Sequence, residues 1–312
     1  MQSWQPSASL ETIRQRARLY RNIRHYFGEL DYLEVDTPLL SQATISDVNI
    51  DSISTLNGSE KSYLQTSPEF FMKRLLAAGS GSCYQITHAF RAGEQGGRHN
   101  PEFSLLEWYS LEFDYSQLMD QVEHLILQLL PKLAKGFNKY RYSDVFFQQL
   151  DIDIEQISLV ELRNYTDQRV AGVDTSEYNF DQCLDLLLSH VILPEFQGFT
   201  FLYDYPSSQA ALARLSESNN AVAERFELFY NDLELANGFS ELTNADEQRR
   251  RFANDNLARK ALNKPVSPVD ERFLSALDHR LPTCAGVAIG LDRLLMVICE
   301  KENIKQVLTF MR

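Results

Sequence analysis

Residues 9–28 place Leu10, Ile13, Ala17, Tyr20 and Ile23 on one stripe and Arg14, Arg18, Arg21 and Arg24 on the other side. That spacing predicts an amphipathic helix. Its basic face reads first as a solvated surface and second as a docking surface for an acidic partner. Tyr32–Leu40 alternates briefly, and Pro38 demotes it to an edge strand or a strand end. Glu69–Ala78 reads as a helix, with Ser67 or Thr66 as its cap and Pro68 in its first turn. Residues 83–91 and 101–113 read as two strands joined by a loop holding Gly93, Gly96 and Gly97. Residues 116–134 form a second helical pattern through Leu118, Val122, Leu125, Ile126 and Leu129. Residues 140–196 are mixed and mostly helical. A strand pair follows at 199–205 and 225–242, then a helix at about 246–262. Ala285–Lys301 starts as a strand and turns helical near Asp292. Antiparallel strands grouped at both ends of a helical insert, at about 116–198, predict an α+β fold and not a doubly wound parallel sheet. The expected organisation is one domain over 1–312.

Composition narrows the class. The 312 residues are 44% hydrophobic, 11% aromatic and 23% charged. These are globular values, and they exclude wholesale disorder, a collagenous repeat and a disulfide scaffold. With 43 acidic and 30 basic residues the net charge is −13, which disfavours a generic nucleic-acid coat. An acidic enzyme can still carry a basic cleft. Cys83, Cys183, Cys284 and Cys299 form no C-x-x-C clip, which argues against a structural zinc and a disulfide framework. They read as reduced thiols of a cytoplasmic protein. Met1–Leu10 is polar and lacks a signal-peptide core. The most apolar run, Cys284–Cys299, is broken by Asp292 and Arg293, so no membrane span is expected.

The chain has no G-x-x-x-x-G-K-[ST] loop, no G-x-G-x-x-G after a first strand, no nucleophile elbow and no H-E-x-x-H. What it has is carboxylates in apolar, strand-like segments. Glu227, Glu234 and Glu241 lie seven residues apart, and Glu102 and Glu107 stand in an aromatic-rich strand. A buried acid needs a cation or a metal as partner. Magnesium usually takes one or two carboxylates plus substrate phosphates. Taken alone, the same acids also read as the solvent-facing side of an edge strand. Glu69 follows Pro68 at a helix start, where an acid is a routine dipole partner. Arg91 and Arg293 flank these acids in sequence. Arginines and acids in one cleft fit a substrate with both phosphate and ammonium groups.

These pieces resemble the three motifs of class II aminoacyl-tRNA synthetases, in order and over nearly the whole chain. Tyr26–Leu40, ending Thr37-Pro38-Leu39-Leu40, is similar to motif 1. Phe90-Arg91 through His99-Asn100-Pro101-Glu102-Phe103 to Glu107-Trp108-Tyr109 is similar to motif 2. Gly286–Arg293 is similar to motif 3. The wording is nearest to lysyl-tRNA synthetase in Ser67-Pro68-Glu69, in His99–Phe103 and in Glu234–Leu242. The chain begins almost at motif 1, however, and leaves no room for an anticodon-reading OB domain. That combination resembles the elongation factor P lysine ligases, stand-alone synthetase catalytic domains that activate (R)-β-lysine and attach it to a lysine of elongation factor P. Ser67 and Ala288 match the ligase pattern, where lysyl-tRNA synthetases usually carry Ala and Gly.

The resemblance implies ATP as cosubstrate and Mg2+ as cofactor. It implies Arg91 on the α-phosphate, and Arg293 on the phosphate tail and against adenine. Phe103 would stack on the other adenine face, with Asn100, Leu235 and Gly290 near ATP. Glu227 and Glu234 would hold magnesium. Ser67, Glu69, Glu107 and Ala288 would shape the site of the displaced amino group. Tyr109 and Glu241 would bind the ε-ammonium, and Asn237 would lie near the carboxylate. Elongation factor P would be the acceptor, with no recognition of a tRNA anticodon, and motif 1 would form a homodimer. In one departure, Gly93 stands where motif 2 has an acid, and Glu94 comes one position late. Either Glu94 takes over the adenine contact or the contact is lost. Two other readings stay open at this point: an aspartate- or asparagine-type adenylating enzyme, and a non-catalytic synthetase-like subunit.

Overall fold

The computed structural model describes residues 4–133 and 135–311. In chain order its elements are α1 (Leu10–Glu29), β1 (Leu33–Glu34), β2 (Leu40–Ser41), β3 (Ser54–Asn57), β4 (Glu60–Leu64), α2 (Glu69–Ala77), β5 (Cys83–Phe90) and β6 (Glu102–Leu111). Then come α3 (Tyr115–Leu129), β7 (Phe137–Arg141), α4 (Tyr142–Leu150), α5 (Leu159–Arg169), α6 (Phe180–Leu187) and β8 (Phe199–Pro206). The last third holds β9 (Val222–Tyr230), β10 (Leu233–Ser240), α7 (Ala245–Ala261), α8 (Glu271–Asp278), β11 (Cys284–Gly290) and α9 (Leu291–Ile298). Eight strands form one sheet in the order β1-β5-β6-β11-β10-β9-β8-β7, and β2-β4-β3 form a small second sheet. The large sheet is antiparallel inside and parallel only at its two edge pairs. This is the expected α+β class.

Three apolar clusters hold these layers. One face of the large sheet packs Leu106, Trp108, Val287 and Ile289 under α1, α3 and α9. The other face carries a smaller cluster of Met72, Leu76, Phe252, Phe273 and Leu274 from α2, α7 and α8. A third cluster joins α4, α5 and α6 to β8 and β9. α3 belongs to the first cluster, through Leu118, Met119, Val122, Leu125 and Ile126. It ends at Leu129, short of the expected 134; Ala134 and the polar start Met1–Ser3 lie outside the described residues.

Three local expectations are corrected. The buried stripe of α1 is Thr12, Leu19, Ile23, Tyr26 and Phe27; Leu10 and Ala17 are exposed. The helix is turned by about a quarter circle from the expected face, at about 100° per residue. Aromatic area decides the face: Phe27 stacks on Tyr84 at 4.4 Å and meets Trp108 at 5.3 Å. α2 is entered with Pro68 itself at the cap position, and the Ser67 hydroxyl accepts only a 3.4 Å bond from the Glu69 N–H. The segment 225–242 is not one strand. Asn231, at φ 52°, turns the chain into the hairpin β9–β10. Tyr32–Leu40 also divides at Pro38, giving β1 at the edge of the large sheet and β2 in the small one. Among the described residues, no helix is long and apolar enough to cross a membrane.

Gly238 packs β10 tightly onto its neighbours. A Cβ there would lie 2.6 Å from the Phe226 ring and 2.8 Å from Val287 Cβ. Gly238→Ala is expected to cost about 1–3 kcal/mol, read as a fall in denaturation midpoint. Gly28→Ala, whose new methyl meets nothing within 4 Å, is expected to be neutral or stabilising by up to about 1 kcal/mol. Equal effects of the two changes would refute this packing account.

Candidate active site

The sheet face opposite α1 opens into a cavity of about 460 Å³. Its floor is a row of cross-strand partners: Glu107 on β6 faces Ala288 on β11, Ala288 faces Asn237 on β10, and Asn237 faces Glu227 on β9. Neighbouring strands stand about 4.8 Å apart, so this row of four runs about 14 Å. A register shift between Glu234 and Ala236 marks a bulge at Leu235. The extra residue turns Glu234 to the same face as Asn237, which a regular strand would forbid. Gly286 keeps the floor thin, since a Cβ there would strike the Tyr109 ring and Glu241.

The inner end of the cavity is acidic. Glu69, Glu107 and Glu241 converge on it, all buried. Between them stands Lys73, whose side chain is 1% exposed. Its ammonium donates to Glu69 Oε1 at 2.5 Å and forms an ion pair with Glu241 Oε2. Lys73 lies four residues after Glu69 on α2, so one helix face delivers both. Burial disfavours the lysine's charge, but Glu241 and Glu69 outweigh it and hold its pKa above the usual value. The acidic end is therefore backed by a fixed cation, Lys73. Glu107 Oε1 accepts from the Tyr109 hydroxyl at 2.7 Å. Burial, then the Glu69 charge, pushes the Glu107 carboxyl up to about 8. Burial also pushes the Glu241 carboxyl up, against the opposing pull of Lys73. Glu107 Oε2 and both Glu241 oxygens lack a hydrogen bond of proper geometry. Buried oxygens in that condition call for donors.

The outer end is basic and aromatic. Arg91 follows β5, lies over the Phe103 ring at 5.1 Å and faces Glu94 at 3.5 Å. Gly93 turns the chain at φ 78°, a conformation suited to glycine, and the turn brings Glu94 back toward Arg91. From the first turn of α9, Arg293 donates to the Glu234 carbonyl at 2.9 Å and to its carboxylate at 3.2 Å, and meets His99 Nε2 at 2.7 Å. Burial, then Arg293, lowers the His99 pKa. Asn100 bonds the Glu102 carbonyl at 2.6 Å. Every site residue expected from sequence lines the cavity except Gly93, which shapes the turn behind it.

Glu227 and Glu234 face the cavity from adjacent strands. Among the described residues no group of three or more His, Cys, Asp and Glu side chains is arranged for a metal. Two carboxylates alone still suit a magnesium ion whose remaining ligands are phosphates and water. Burial pushes Glu227 up to about 7; Arg225 pulls against this and the Glu234 charge adds to it. A cation between the two acids would relieve both the burial and the repulsion, so the donor set fits.

Sequence reasoning missed several participants. Lys73 left a readable signal, E-x-x-x-K on an apolar helix. Arg225 is paired with Glu227, and its Nε donates to Asn237 Oδ1 at 3.1 Å, which leaves the Asn237 amide N–H groups for the cavity. Asp47 and Asn49 belong to an irregular wall, with Ile45 and Ile50. Arg259 holds that wall from α7, through the Asp47 and Ile50 carbonyls and Asp51 Oδ1 at 2.7 Å. No local pattern connects residues two hundred positions apart.

The family model described as tRNA synthetases class II (D, K and N) matches residues 3–312. A protein of Proteus mirabilis (strain HI4320) named elongation factor P–(R)-β-lysine ligase is 42% identical over 316 residues, covering 98% of this chain and 97% of its own. Its namesake in Pseudoalteromonas translucida (strain TAC 125) is 44% identical over 317 residues, covering 98% and 97%. That of Edwardsiella ictaluri (strain 93-146) is 41% identical over 319 residues, covering 99% and 98%. With a match this long and relatives this similar, the chain belongs to the class II tRNA synthetase family (D, K and N), alongside the proteins named elongation factor P–(R)-β-lysine ligase.

Proposed function

We propose that this chain uses ATP to adenylate (R)-β-lysine, or lysine, and transfers it to a lysine side chain of elongation factor P. The charge count at the acidic end carries this reading. Three carboxyls face one fixed cation, Lys73, so full ionisation leaves two negative charges. A lysine isomer brings two ammonium groups. Glu241 and Tyr109 take the ε-ammonium, and Glu69 and Glu107 the second amine near the carboxyl, on a floor shaped by Ser67 and Ala288. An aspartate-type substrate would need a free cation here, and Lys73 is already engaged by two acids. An accessory subunit has no need of Arg91 and Arg293 converging on one cleft.

In the first step the substrate carboxylate attacks the ATP α-phosphorus and pyrophosphate leaves. Free carboxyls have a pKa of about 3.5, so no general base is required. Arg91 stabilises the charge on the α-phosphate, and Asn237 and Arg225 orient the carboxylate. Phe103 and Arg293 flank the adenine, near Leu235 and Gly290, with Asn100 beside the nucleotide and Glu94 at Arg91. Magnesium, held by Glu227 and Glu234, would neutralise phosphate charge. In the second step the acceptor's neutral ε-amine attacks the acyl carbon; an amide forms, AMP leaves and the amine gives up a proton. Exposed Leu30, Leu33, Leu39 and Leu40 beside α1 support a homodimer through motif 1. The free thiols support a cytoplasmic setting. Anticodon recognition has no part in this activity.

Three outcomes test the proposal. ATP–pyrophosphate exchange should proceed with (R)-β-lysine, more weakly with lysine, and not with aspartate; exchange with aspartate alone would overturn the pocket assignment. Glu241→Gln should lower amino-acid activation at least tenfold, from the loss of a charge-assisted bond of about 1.5–3 kcal/mol. Unchanged activation in the folded variant would refute the role of Glu241. The third outcome concerns pH. Glu107, pushed up to about 8, is largely protonated at pH 6 and must release its proton to pair with ammonium. Affinity for (R)-β-lysine should rise between pH 6 and 8, by up to about tenfold per unit for the proton released. Stability of the free protein should fall over the same window, because the unfolded chain loses this proton first. Calorimetry in buffers of different ionisation enthalpy reads the proton release, and affinity flat across that range would contradict it.

A further inference from the structure

The cleft between Phe103 and Arg293 is fixed from behind by a partly buried ion pair. Asp292, the residue before Arg293, is 2% exposed. Its Oδ2 accepts the Ser104 N–H at 2.7 Å, and its Oδ1 accepts from Arg16 of α1 at 2.5 Å. The first bond has a structural reason. β11 pairs with β6 only as far as Gly290 opposite Leu105. One residue further, the Ser104 N–H has passed the end of its strand partner, and the Asp292 carboxylate continues the ladder. Phe103 and the first turn of α9 are thereby tied within one residue on each side.

Arg16 extends the brace. It also donates to the Val307 carbonyl at 2.9 Å, to the Tyr20 hydroxyl at 3.2 Å and to the Ser104 hydroxyl at 3.4 Å. The turn that carries Val307 is bound in its own right to the motif 2 loop, through Ile304 N–H to the Gly97 carbonyl at 2.7 Å. Three walls of the outer cavity therefore meet at one guanidinium. A buried ion pair is weak as a source of net stability, because desolvation offsets its attraction. Its geometric effect remains.

We propose that Arg16 and Asp292 are positioning residues for the nucleotide: they set the separation of Phe103 from Arg293, and hence ATP affinity, while the amino-acid end is left untouched. This rests on the assignment of Phe103 and Arg293 to adenine above.

The test is calorimetric titration of ATP with magnesium, alongside KM values for ATP and (R)-β-lysine in pyrophosphate exchange. The variants are Arg16→Met, Arg16→Lys, Asp292→Asn and, as a control, Arg293→Ala. Arg16→Met should weaken ATP binding and raise its KM about tenfold, with the KM for (R)-β-lysine within about twofold of wild type. Arg16→Lys should recover part of the loss. Should Arg16→Met fail to fold, Asp292→Asn, which keeps an acceptor for Ser104 but loses the charge, should show the same selective effect. Parallel changes in both KM values, or a lowered melting temperature with ATP affinity intact, would overturn the inference. If Arg293→Ala weakens ATP binding and the brace variants do not, the inference falls alone. If Arg293→Ala binds ATP normally, the adenine assignment falls with it.

Discussion

An ammonium group cut off from water, between Glu69 and Glu241, is the interaction on which the rest of the site depends. Three buried carboxyls in one pocket repel each other and lose their hydration, and burial raises the pKa of Glu107 and of Glu241. Lys73 supplies the buried countercharge. At an effective dielectric near 20, a contact of about 4 Å is worth about 4 kcal/mol of attraction, comparable with the loss of hydration. The lysine is held for that task. Its helix is anchored by Met72 and Leu76 in the apolar cluster, Phe70 stacks on Phe273 at 4.5 Å, and the ammonium lies 5.3 Å from the Phe239 ring centre. The pocket is left short of full compensation, and that shortfall is what a doubly cationic ligand can fill.

The carboxylates could not have been gathered by a regular strand. Glu234 lies seven residues from both Glu227 and Glu241, so a continuous strand would point it to the face opposite theirs. The hairpin at Asn231 separates the first two onto adjacent strands, and the bulge at Leu235 shifts the phase of β10 by one residue. The acids then share a face with Asn237 and with Ala288 and Glu107 beyond it. Small residues complete the surface: Gly286 lies where any side chain would collide with Tyr109 and Glu241.

What was legible in the sequence follows from how local each feature is. Helices α1, α3 and α7 and strands β5, β6 and β11 announce themselves by period and by turn residues, and the α+β class follows from their order. The face of α1 was misjudged because an even count of apolar positions ignores side-chain size; Tyr26 and Phe27 outweigh Leu10 and Ala17. The β9–β10 turn was hidden because Asn231-Asp232 sits in a run of strand-forming residues. Motif wording pointed to the lining residues. The side chains that hold them did not stand out, because each works across the chain: Arg259 on the wall at 47–51, Arg225 on Asn237, and Arg16, passed over among the arginines of α1, on Asp292.

The two ends of the cavity divide the electrostatic work in a way that suits carboxylate activation. A lysine isomer is a dication with one anionic group, and only the anion must reach the phosphate. On the proposed assignment the ammonium groups would meet, at the acidic end, Glu107 and Glu241 oxygens without a well-formed hydrogen bond, and the cost of leaving those oxygens unpaired would hold them there. At the other end the guanidinium groups of Arg91, Arg225 and Arg293, each beside an acid, would meet the carboxylate and the phosphates. A ligand reversed in the cavity would take its ammonium groups away from the acidic end and set its carboxylate there against Glu69, Glu107 and Glu241. On the proposed assignment, orientation is imposed by charge before any close fit is made. Because the nucleophile is already ionised at neutral pH, holding it in that orientation is the main thing the first step requires of the protein.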